Sequence, residues 1–160
     1  MNQSLQGKRR LYSVIVLVLV GMCLLAPWPG PQAVLHVFIV LGIAPVLRSP
    51  FYCALLAAVA GWLLETTLHG YPGMGGTALG NMICALFLWY SLSISPPEKQ
   101  FSYYLQLVLA ILLNAALVYF FVYVASGPHT MGYGWQWSLV SLPLWGPLAW
   151  RFYSPIHRRQ

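Results

Sequence analysis

Glu65 is the acid that chemistry would have to use, because it is the one carboxylate set inside an apolar run of this chain. Placing a carboxylate there is costly unless it is paired, solvated or protonated, so something must hold it. It stands about one turn before His69-Gly70-Tyr71-Pro72-Gly73-Met74-Gly75-Gly76, and the run that follows opens a new helix. The first-turn amides of that helix, near Gly75 to Thr77, have no intrahelical partner and sit at the positive end of the helix dipole. Glu65 is therefore expected to accept hydrogen bonds from them, acting as a structural staple or a partner-binding acid.

The glycine-rich loop invites a phosphate-binding reading, since glycines let backbone amides approach an anion at a helix start. It lacks the Lys-Ser/Thr ending of a P-loop. Its expected role is conformational, with Gly70, Pro72 and Gly73 supplying turn dihedrals between two closely packed helices. Ala57 and Gly61, like Gly76 and Gly80, are spaced to allow close helix contact. Asn81 and Asn114 are polar groups within apolar runs and read as interhelical glue. His36 reads as a packing residue rather than a ligand, and mild pH sensitivity at His69 and His129 has no support.

Catalysis has little to work with. No Ser-His or Cys-His arrangement and no His/carboxylate metal motif is legible, so a non-enzyme without metal or cofactor is expected. A single glutamate is no relay for ions or protons. Cys23, Cys53 and Cys84 all fall in apolar runs with no regular spacing, which supports neither a disulfide framework nor a zinc site.

The elements that must position these residues are set by composition. Of 160 residues, 59% are hydrophobic and 6% charged, against about a quarter charged in soluble domains. The net charge of +6 comes from bases at the ends of apolar runs, not on one amphipathic face, which argues against nucleic acid and for contact with the lipid bilayer. Leu24-Leu25-Ala26 lacks a small-x-small cleavage pattern, and the bulky Met22 before Cys23 removes a lipoprotein reading.

An all-α polytopic membrane protein is expected, one transmembrane domain over 1–160, with spans near 11–26, 33–47, 51–68, 77–94, 101–125 and 135–153. Pro27-Trp28-Pro29-Gly30-Pro31 should form a rigid corner after the first span, with Pro27, Trp28 and Pro29 as its turn residues. The second run is short for a span and should kink at Pro45; the last should bend at Pro143 and Pro147. Six spans put Lys8, Arg9, Arg10, Arg48, Lys99, Arg151, Arg158 and Arg159 on one side, with both termini cytoplasmic; five would divide them.

Gly61-Trp62-Leu63-Leu64-Glu65, followed by Gly70-Tyr71-Pro72-Gly73, resembles the best-marked stretch of the bacterial rod shape-determining protein MreD family. There a Gly precedes an acid by four residues and a second Gly follows eight later, the spacing of Gly61, Glu65 and Gly73. The Pro27-Trp28-Pro29 corner, the Pro50 boundary, and a last span bearing Pro143, Trp145 and Pro147 before a basic tail agree as well. Glu65 departs from the family's usual Asp.

The resemblance implies a fold akin to the substrate-binding subunits of energy-coupling-factor vitamin transporters. It also implies a non-catalytic scaffold of the cell-elongation machinery in the bacterial inner membrane. Such a scaffold would bind the bitopic protein MreC and regulate peptidoglycan synthesis by the glycosyltransferase RodA and its penicillin-binding transpeptidase, with actin-like MreB on the cytoplasmic side. The alternative is a vitamin-binding subunit of such a transporter. Against it, Val14 to Leu19 offers bulky aliphatics where that class carries a small-xxx-small docking face, and few polar groups besides Glu65 and Asn81 are available for a pocket.

Overall fold

Proline and glycine punctuate the chain, and the helices begin and end where they stand. In the computed structural model, which describes residues 2–25, 27–47, 49–67, 75–126 and 134–157, α1 spans Asn2–Leu24 and α2 spans Pro29–Val37. A π-helical stretch, Phe38–Ile43, and a 3-10 turn, Ala44–Val46, continue α2. Then follow α3 (Pro50–Thr67), α4 (Gly76–Ile94), α5 (Gln100–Ser126) and α6 (Gly134–His157), with no strand among the described residues. Among the described residues three helical stretches, Pro50–Thr67, Gly76–Ile94 and Gln100–Phe121, are long and apolar enough to cross a membrane; Leu11–Leu24 and Pro31–Val46 are apolar but shorter.

Two boundaries depart from the sequence expectation. The proline-rich corner is shorter than expected: Trp28 is the N-cap of α2 in an extended conformation and Pro29 is already helical. Proline's fixed φ and missing donor suit the first helical position, so Pro29 to Pro31 start the helix instead of barring it. α6 also runs to His157, past the expected end near 153, and stays helical through Pro143 and Pro147.

At Pro45 the helix tightens into the 3-10 turn, consistent with the loss of a backbone donor there. The turns before it widen, and the Ala44 amide donates to the Ile39 carbonyl five residues back. Every residue from His36 to Val46 is buried, which makes this segment the centre of the molecule.

Around it the usual distribution is inverted. α3 turns its small residues Cys53, Ala57, Ala60 and Gly61 inward, while Phe51, Tyr52, Leu55 and Trp62 face outward. α5 does likewise, burying Leu107, Ala110 and Ile111 and exposing Phe101, Leu105 and Leu109. Large apolar side chains displayed along whole helices fit a hydrocarbon surround, whereas water would penalise such patches. α6 closes the bundle through Trp145, Ala149 and Tyr153, with Tyr153 stacked on Tyr103 at 5.1 Å between ring centres.

Candidate functional site

Gly61 and Glu65 lie one turn apart on α3 and both meet α4. A Cβ on Gly61 would stand 2.7 Å from the Ala78 Cα and 2.6 Å from Asn81 Nδ2, so only a glycine admits the α4 backbone at this distance. One turn along, the Gly75 amide donates to Glu65 Oε2 at 2.8 Å and the Thr77 amide to Oε1 at 2.6 Å. These are the amides expected from the sequence. Gly75 is the N-cap of α4 at φ +89°, a left-handed conformation that suits glycine, and it offers no side chain to cap the helix. Glu65 supplies the cap from the neighbouring helix, with charge-assisted bonds at the positive end of the dipole.

α2 enters beside this contact. His36 and Asn81, both buried, are joined between Nε2 and Nδ2 at 2.7 Å. His36 is thus a packing residue with a specific partner, and Asn81 is interhelical glue. One turn nearer the α2 start, the Gln32 side chain is fully buried; its Nε2 donates to the Thr67 hydroxyl and, at 3.3 Å, to the Met22 carbonyl. Thr67 in turn donates to the Leu63 carbonyl at 2.8 Å. Gln32, His36, Glu65, Thr67, Thr77 and Asn81 therefore make a polar cluster linking α2, α3 and α4, with a bond to the end of α1.

Asn114 does not join them. It is buried on α5 one turn from Ala110, whose carbonyl faces the Cys84 thiol at 3.2 Å. Gly80 likewise serves the α4–α5 contact, against the Val118 backbone. Gly70, Pro72 and Gly73 lie outside the described residues, as do His69 and His129. Pro27 and Trp28 form the turn between α1 and α2, with the Trp28 amide on the Leu25 carbonyl at 2.8 Å.

Gln32 and Thr67 are absent from the sequence expectation. The available signal was the four-residue spacing of Gln32 and His36, which marks one helical face once Pro29 is taken as a helix start. Among the described residues no group of three or more His, Cys, Asp or Glu could hold a metal ion. The cluster's chemistry is hydrogen bonding, and both Glu65 oxygens are committed to it. Comparison with protein-family models, curated proteins and solved structures finds no match to this chain.

Proposed function

We propose that this protein is a non-catalytic, six-span component of the bacterial cell-elongation machinery in the inner membrane. In this reading it resembles the MreD family in role as well as in motif. It binds MreC and, with it, regulates RodA and the penicillin-binding transpeptidase, with MreB beneath. The observation that carries the reading is the use made of the Gly61–Glu65 pair: both residues hold α3 against α4, the duty of a scaffold. The sequence supports it too, because a six-span topology is the one that leaves all eight Lys and Arg on a single, cytoplasmic side.

The vitamin-binding reading gains from one observation, the burial of Gln32, His36, Thr77 and Asn81, with His36 and Asn81 bonded to each other, which supplies more interior polar groups than the sequence promised. Depletion in a rod-shaped host separates the two. Rounded, swollen cells with slowed wall elongation are expected of the scaffold; normal shape, with tight binding of a vitamin by the purified protein and pairing with a coupling ATPase, would overturn it.

A further inference from the structure

Contacts between the helices sort their ends into two levels. At the first, Gln32 bonds to the Met22 carbonyl and to Thr67, and Glu65 to the Gly75 and Thr77 amides. The opposite level is tied together by other bonds. The Trp89 indole on α4 donates to the Leu47 carbonyl, shortly before α3 starts, at 2.8 Å. Gln106 on α5 donates to the Ser95 carbonyl, just past the end of α4, at 3.3 Å. Tyr103 on α5 packs against Trp150 and Tyr153 on α6, with ring centres 5.3 and 5.1 Å away. α1 points from this second level to the first, because Gly21 and Met22 near its end meet Leu35 and Gln32 of α2.

The bases gather at the second level. Lys99 stands one turn before Tyr103, whose amide donates to its carbonyl, and Arg151 follows Trp150; both side chains are exposed. Arg48 follows Leu47 in the chain, and Lys8, Arg9 and Arg10 lie in the first half of α1. Of the chain's two acids, Glu65 is spent at the first level, so only Glu98 is left to set against them. Counter-charge has to come from outside the chain.

The surroundings of the bases say what carries it. Exposed apolar side chains stand a few residues from each: Tyr12 after the α1 bases, Phe51 and Tyr52 after Arg48, Ile94 and Phe101 on either side of Lys99, and Leu148 before Arg151. The charges therefore emerge at the rim of an apolar surface, where long basic side chains lie along hydrocarbon and reach out to phosphate. They also leave from four separate places, the start of α1, the α2–α3 and α4–α5 junctions and the end of α6. An acidic protein docks on one patch, whereas a lipid leaflet meets every helix end.

We infer that this end of the bundle is a binding surface selective for anionic phospholipid headgroups, with Lys99 and Arg151 each holding one beside the α5–α6 aromatic cluster. The inference does not rest on the scaffold reading. It requires only that the protein sits in a bilayer.

Native mass spectrometry of the purified full-length protein, titrated in detergent with phosphatidylglycerol or with phosphatidylcholine of the same acyl chains, tests this. Phosphatidylglycerol should bind more tightly. Lys99→Gln and Arg151→Gln should each weaken it about five-fold and leave phosphatidylcholine binding unchanged. Equal binding of the two lipids by wild type, or undiminished phosphatidylglycerol binding by the double variant, would overturn the surface and leave the bases to an acidic protein partner. Excess glycerol 3-phosphate should not displace the lipid; displacement would mean a soluble phosphate ligand in its place and would overturn the lipid assignment.

Discussion

Glu65 shows how a costly residue becomes a structural one. Its two oxygens accept two amides that α4 cannot pair internally, so desolvation of the carboxylate is offset where the helix end has bonds to give. Glu65→Leu should lower stability by about 1–3 kcal/mol by leaving those amides unpaired. Glu65→Gln, which keeps one acceptor oxygen, should lose less, and chemical unfolding in mild detergent reads both. Equal stability of the Leu variant and wild type would sink the staple. His36 and Asn81 make a simpler pair. Asn81→Leu strands a buried imidazole nitrogen, so combining it with His36→Phe should cost less than the two changes summed, as measured by a double-mutant cycle.

At the scale of the helix, the close approach of α3 to α4 requires the missing side chain of Gly61. A Cβ there meets backbone atoms of Ala78, which cannot rotate away, and Gly61→Ala should therefore cost about 1–3 kcal/mol. At Gly146 the added atom meets the edge of the Tyr104 ring, at 2.7 Å, and that side chain can turn. Gly146→Ala should be the milder change when the two melting temperatures are compared.

The α3–α4 contact was legible in the sequence because its parts are local: an acid one turn before a loop, a glycine one turn before the acid, and unpaired amides at the next helix start. The α2 contribution was not. Prolines at 29 and 31 signal a break and a helix start equally well, and taking them as a corner hid the shared face of Gln32 and His36. The π-helical stretch has Pro45 as its only local mark; its widened turns depend on packing from every side, which no residue pattern encodes.

Across the described residues, outward-facing Leu, Phe and Tyr side chains and the inward small residues of α3 are compatible with a hydrocarbon surround, and three of the helices are long and apolar enough to cross a membrane. The proposed six-span topology, with every base on the cytoplasmic side, expects a cysteine at position 130 to react with a membrane-impermeant thiol reagent in intact cells, and one at 98 to stay unlabelled, once Cys23, Cys53 and Cys84 are replaced. Labelling at 98 alone would reverse the orientation. The proposed scaffold role is tested most directly by isolating the protein from its native membranes in mild detergent and identifying what comes with it. Co-isolation of MreC with RodA and its transpeptidase is the predicted result, at undiminished yield when the solution contains no vitamin or nucleotide; recovery of a transporter's coupling subunit and ATPases in their place would contradict it.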